Sequence, residues 1–326
     1  MEHAGSAMRK RAMLASLVAL TASIALALVG SADAPPATYT DLSYGPDIRN
    51  VLDLWLAHST EPTPLLLLVH WGGFSSGSKE QYAGFRGDTI CQMLDAGISV
   101  ASINHRYTDG GAHPYPAPMM DGARAVQFLR YKATDYNLDK NRFAGMGGSS
   151  GGILVMWLGF HDDLADADSE DPVLRESSRL QVLTPEDGAT CLHPPTLEDW
   201  FNVPSLVEHP AFASLFGVPE GKTLPKTAAV DAAMREASPI CHLTADDPPI
   251  YLFYRRGLET VDENTDPNVW AHHPIMGIKL KEQMDALGIE CNLEYTGMTV
   301  FPPYGSLETF IIHIMNTLAE TDNPAA

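Results

Sequence analysis

Basic side chains are scarce in this chain of 326 residues, where 21 Lys and Arg stand against 41 Asp and Glu for a formal charge of −20. Outside the extreme N-terminus no Lys/Arg cluster offsets that charge, which repels phosphate backbones and argues against a nucleic-acid partner. Cysteine is sparse too: Cys91, Cys191, Cys241 and Cys291 are evenly spread, with no C-x-x-C pair, so zinc-knuckle and thioredoxin chemistry fails on spacing. Free thiols are expected rather than disulfides, because a domain this large does not need them. H-E-x-x-H is missing, and the acidic run at 162–171 puts Asp171 and Ser177 where a calcium loop needs Gly and Glu. Neither a metal nor a cofactor is expected. Internal repeats are absent. Apart from one segment near the N-terminus, the chain also lacks apolar runs of membrane-spanning length.

That segment follows Arg9-Lys10-Arg11, runs apolar over residues 12–29 and ends in Gly30, Ser31 and Ala32. It reads as an export signal cleaved near Ala32, with an uncleaved anchor as the alternative. The mature chain, from residue 33, then carries 18 basic and 40 acidic side chains. A periplasmic or secreted protein without a stable membrane partner is expected.

The whole chain is 45% hydrophobic and 19% charged, the composition of a globular domain. Two strand-like runs at 38–44 and 51–57 suggest an antiparallel edge pair. Leu65 to Val69 is apolar throughout, the pattern of a strand buried on both faces. Helix and strand then alternate: a helix stopping at Gly97, a strand at 98–104, a helical period from Met119 to Ala133, a strand at 142–145, and an apolar helix at 153–160. After a short strand candidate at 180–183, Pro-punctuated segments over 191–239 read as a helical, cap-like insertion covering the sheet's end. Strand 250–254, a helix closed by Gly288, strand 290–295 and a final helix capped by Ser306 complete an α/β chain with a mostly parallel sheet. Residues 33–326 are thus expected to form one domain.

Gly147-Gly148-Ser149-Ser150-Gly151 stands between a predicted strand and a predicted helix. In that context G-x-S-x-G is the nucleophile elbow, a strained turn that projects the serine hydroxyl above the sheet. A phosphate-cradling loop would need a Lys or an acidic ribose contact that is not suitably placed. His70-Trp71-Gly72-Gly73-Phe74 follows the first buried strand, and its Gly-Gly step lets backbone N–H groups approach an oxyanion within about 3 Å.

Through these motifs the chain from about Tyr44 onward resembles the α/β-hydrolase superfamily. Within it, the likeness is to exported carboxylesterases of the hormone-sensitive-lipase and bacterial feruloyl-esterase-like (BD-FAE-like) type. His70–Phe74 matches their H-G-G-G-F loop with Trp71 in place of the first glycine, Asn104-His105-Arg106-Tyr107 matches a strand ending N-Y-R, and residues 147–152 match G-G-S-A-G-G. The resemblance implies a serine carboxylic-ester hydrolase with Ser149 as nucleophile and Gly72, Gly73 and Ser150 as oxyanion donors. Small-molecule or carbohydrate esters, acetyl or feruloyl, are the implied substrates. It also implies an acid after the penultimate strand and a histidine after the last, and here the chain departs: residues 296–305 contain no histidine. His273 is the preferred base, with His272, His113, His70 and His313 as alternatives. Glu259 and Asp262 are the preferred acids, with Glu263, Asp266, Glu186 and Asp187 open. The missing histidine leaves a non-catalytic binding protein as a rival, and a peptidase of the same fold as another.

Overall fold

The apolar run at Leu65–Val69 sets the centre of the sheet. In the computed structural model, which describes residues 33–219 and 221–322, strand β3 (Thr63–Val69) is buried at all seven positions. The expected signal segment at 1–32 lies outside the described residues. Side chains alternate across a strand, and β3 obeys this: Leu65, Leu67 and Val69 enter one hydrophobic cluster, Leu66 and Leu68 the other. Each such leucine contributes about 1.5–3 kcal/mol by leaving water.

Eight strands pair in the order β1-β2-β4-β3-β5-β6-β7-β8. The antiparallel edge is β1 (Tyr39–Ser43) and β2 (Val51–Trp55), with β2 also antiparallel to β4 (Ser99–Ile103). All later pairings are parallel, through β5 (Leu138–Gly148), β6 (Val182–Glu186), β7 (Ile250–Tyr254) and β8 (Cys291–Tyr295). Val69 pairs with Gly147, Gly148 with Glu186, and Glu186 with Phe253, so the strands' carboxyl ends open on one edge.

Helices cover both faces. On the first lie α3 (Ala117–Tyr131), α4 (Ser150–Phe160) and α9 (Ile275–Leu287), through Val126, Leu154 and Leu280. On the second lie α1 (Glu80–Phe85), α2 (Gly87–Asp95) and α10 (Leu307–Asp322), through Tyr82, Ile90 and Phe310. Every residue of α4 is buried, which accounts for its uniformly apolar sequence. Gly288 ends α9 with φ 75°, and Ser306 Oγ accepts the Thr309 amide at 3.1 Å at the head of α10.

Two strands differ most from expectation. β5 begins at Leu138, four residues early, because its half-exposed start carries Asp139, Lys140 and Asn141 and shows no apolar pattern. β6 runs on to Glu186 through a buried Pro185, a residue that lacks the ladder donor and so conceals a strand in sequence. The 191–239 segment is helical as read, with α5 (Pro194–Phe201), α6 (Pro210–Leu215) and α7 (Ala228–Glu236), and α5 and α6 begin on proline. All four cysteines are free, but only Cys191 and Cys291 are buried. Among the described residues no helix is long and apolar enough to cross a membrane.

The first turn of α4 crosses beneath the end of β3 so closely that a Cβ on Gly151 would stand 2.1 Å from the Val69 carbonyl oxygen. Backbone atoms on both sides cannot yield cheaply. Gly151→Ala is expected to destabilise the fold by about 3 kcal/mol or more; a denaturant midpoint equal to the parent's would contradict this packing.

Candidate active site

β5 delivers Ser149 to the carboxyl edge of the sheet. Its backbone sits at φ 50°, ψ −113°, and its N–H donates to the Glu186 carbonyl at 2.7 Å. A non-glycine residue at positive φ costs on the order of 1–2 kcal/mol, and such strain concentrates at functional sites. Ser149 lines a cleft of about 810 Å³, walled by Trp71, Tyr82 and Phe85 and floored by Arg86, Glu186 and Arg255. Buried Glu186 is held between the guanidinium groups of Arg86 and Arg255.

The loop after β3 comes to the same cleft. Gly72 has φ +128°, and a Cβ there would lie 2.1 Å from the Ser76 carbonyl oxygen, so only glycine fits. Its carbonyl accepts the amides of Ser75 and Ser76, both at 3.1 Å, which winds the loop into a tight coil. Beside it Gly73, Ser149, Ser150 and His272 surround a narrow recess of about 20 Å³. A recess of that size suits one oxygen-sized group. Thus the structure brings Gly73, Ser149 and Ser150 together at one recess and keeps Gly72 on the adjoining cleft wall.

Two histidines, His209 and His272, line this recess, and His272 is the one in contact with the serine hydroxyl. Its Nε2 lies 2.8 Å from Ser149 Oγ. It follows the five-residue helix α8 (Pro267–Ala271), and its Nδ1 contacts the Asn268 carbonyl at 2.8 Å. A carbonyl only accepts, so Nδ1 carries the hydrogen and Nε2 presents its lone pair to the serine hydroxyl. Burial pulls the His272 pKa below the ordinary imidazole value, opposed by the Asn268 contact and by the negative charge of Asp187. Helix α8 is fastened to the insertion: Trp270 Nε1 donates to the Val207 carbonyl at 3.1 Å, and its ring packs against Phe212 and His209.

His273, the base expected from sequence, is not brought to Ser149. It is buried with both ring nitrogens engaged, Nε2 donating to the Glu259 carbonyl at 3.0 Å and Nδ1 accepting the Ile275 amide at 3.0 Å. It serves the head of α9, and the residue before it faces the serine because a turn at the end of α8 points adjacent side chains in different directions. Of the other histidines, His70 stacks on His105 and reaches the Trp71 carbonyl from beneath the loop, and burial takes its pKa down to about 3. His113 faces Asp109 at 4.0 Å, and exposed His313 packs on Tyr304.

Neither preferred acid approaches His272. The Glu259 carboxylate pairs with Arg256 at 3.1 Å, and Asp262 accepts from Asn264 and Thr265 within its own turn. Glu263 is exposed in the same loop, and Asp266 caps α8 through the Asn268 amide. Asp187 is the carboxylate that lines both the cleft and the recess with His272. It directly follows β6, has φ 50°, accepts the Arg255 amide at 2.8 Å and pairs with the Arg255 guanidinium. Its positive φ, which no sequence pattern announced, is a second strained position at this edge.

The BD-FAE family model matches residues 52–264, well over half of the sequence. The chain belongs to the BD-FAE family. The matched stretch holds the Gly72-Gly73 loop and Ser149 and ends ahead of His272. Among curated proteins it is similar to one from Mycobacterium tuberculosis named Probable carboxylic ester hydrolase LipM, 26% identical over 225 residues, 66% of this chain and 47% of that protein. Esterase LipQ of the same organism is 29% identical over 140 residues, 42% of this chain and 30% of its own length. The chain therefore spans about half the length, or less, of these two relatives. Among solved structures, a carbohydrate esterase from gut microbiota in truncated form superposes with a TM-score of 0.63 at 19% identity, covering 89% of this chain and 98% of that one. Esterase 2 of Thermogutta terrifontis gives 0.57 at 18% identity, covering 88% and 92%. At these identities the likeness is one of fold, that of a BD-FAE protein with α/β-hydrolase architecture.

The His272 ring is expected to titrate below the ordinary imidazole midpoint of about 6.5, so that it is neutral at pH 7 and gains its proton only as pH falls through the lowered value. NMR of the ring carbon-bound protons, assigned with His272→Gln, measures this. A midpoint at or above that of a free imidazole would contradict the burial seen here.

Proposed function

We propose that this BD-FAE protein is a serine carboxylic-ester hydrolase that cleaves acetyl or feruloyl esters, including esters borne on carbohydrate. The observation that carries the reading is the 2.8 Å contact between Ser149 Oγ and His272 Nε2 beside a recess for one oxygen atom. Ser149 Oγ attacks the ester carbonyl carbon while its proton passes to Nε2. Negative charge gathers on the former carbonyl oxygen, which the amides of Gly73 and Ser150, with Gly72 beside them, receive in the recess. As the carbon–oxygen bond to the alcohol breaks, the imidazolium returns its proton to the departing oxygen. Water then attacks the acyl-serine, giving its proton to Nε2, and the second collapse frees the carboxylic acid and restores Ser149.

Asn268 fixes the ring orientation through its carbonyl, and the Asp187 charge stabilises the imidazolium through space. The aromatic wall of Trp71, Tyr82 and Phe85 suits a sugar face or an aromatic acyl group. The names of the relatives support ester hydrolysis, one as a carboxylic ester hydrolase and one fold neighbour as a carbohydrate esterase. Export through residues 9–32 is part of the same reading.

Hydrolysis of p-nitrophenyl acetate tests it. Ser149→Ala and His272→Ala are each expected to lower kcat by a factor on the order of 10³ or more, and Asp187→Asn by about tenfold to a hundredfold. His273→Gln, in contrast, should keep kcat within about tenfold. Parental kcat in His272→Ala, or the larger loss in His273→Gln, would overturn the assignment of the base.

A further inference from the structure

Opposite the cleft, α4 ends at Phe160 and hands over to His161, about 18 Å from Ser149 by helix rise. There His161 meets Glu236, the last residue of α7, and His242, in the short turn that returns the insertion to the sheet. We propose that these three side chains bind one divalent transition-metal ion of the zinc class, which ties the end of the insertion to the end of the nucleophile helix.

One ligand atom from each of the three lies within 4.8 Å of the others, close enough for a single ion to draw them in. His161 Nε2 and the Glu236 carboxylate are 3.4 Å apart. Each histidine also has a ring nitrogen on a backbone carbonyl: His161 Nδ1 on Asp162 at 2.8 Å and His242 Nε2 on Glu236 at 2.6 Å. Metal-binding histidines are characteristically oriented this way, one nitrogen donating to a carbonyl and the other left as ligand. Imidazole and carboxylate together favour zinc, nickel or copper over calcium or magnesium, and a three-ligand set leaves a fourth position for water. Two helix C-termini, those of α4 and α7, converge here, and their partial negative charge favours a cation. The Trp157 indole packs on His161 with ring centroids 4.2 Å apart and donates to the Glu236 carbonyl at 3.2 Å, so the site rests on a rigid aromatic base.

The full chain should bind one Zn²⁺ in calorimetry with a Kd near or below about 1 µM, and Zn²⁺ at a hundredfold excess over Kd should raise Tm by about 5 °C. Cu²⁺ should quench Trp157 fluorescence, the quenched component vanishing in Trp157→Phe, and Zn²⁺ should reverse the quenching. Glu236→Gln, at an exposed side chain, and the pair His161→Asn with His242→Asn should each weaken binding by about tenfold to a hundredfold. Fluorophosphonate labelling of Ser149 at the parental rate shows that a variant is folded. A Kd weaker than about 100 µM, affinity unchanged in Glu236→Gln, or loss of binding on His272→Ala instead would overturn the proposal.

Discussion

The approach of the first turn of α4 to the carboxyl end of β3 is the constraint on which the rest depends. Gly151 at the Val69 carbonyl permits it, and Ser149 at positive φ results from it, because the chain must reverse from strand to helix within one residue. The same closeness keeps the Gly72 coil beside the serine, so the proposed nucleophile and oxyanion donors are set by backbone packing rather than by flexible side chains. Burial of every residue in α4 holds the turn in place against its strain.

The sheet and its helices were legible because burial on both faces writes itself into sequence as unbroken apolar runs. β3, β7 and α4 are of this kind. β5 and β6 were misjudged at their ends, where the chain is half-exposed or contains Pro185, and where pairing with a neighbour rather than apolar content makes the strand. The elbow and the Gly-Gly loop were legible for a different reason: close backbone approach admits only glycine, and glycine in a fixed pattern leaves a trace.

The histidine left a weaker trace. Sequence offered both His272 and His273, but which of two neighbours faces Ser149 depends on the direction in which α8 ends, set by the Trp270 contact with Val207 and the Asn268 carbonyl. Glu259 and Asp262 follow β7, the penultimate strand after which the resemblance implies the acid, whereas Asp187, the carboxylate that lines both cleft and recess, follows β6. Serine, carboxylate and histidine thus come after three successive strands, β5, β6 and β7. β8 and α10 lie beyond them and complete the sheet and its covering layer.

His272 stands on a helix of five residues whose one tryptophan is docked on the insertion, beside Phe212 and His209. The segment that lends His209 to the cleft therefore also sets the aim of the imidazole. If the proposed hydrolysis holds, substrate choice and turnover would share a hinge here: a sequence change over 203–215 that moves Val207 or Phe212 displaces Trp270, and with it His272. Under the proposed ester hydrolysis, laboratory evolution toward bulkier esters would then pass through slower variants first, and recovery would come from second changes along α8 rather than at the serine.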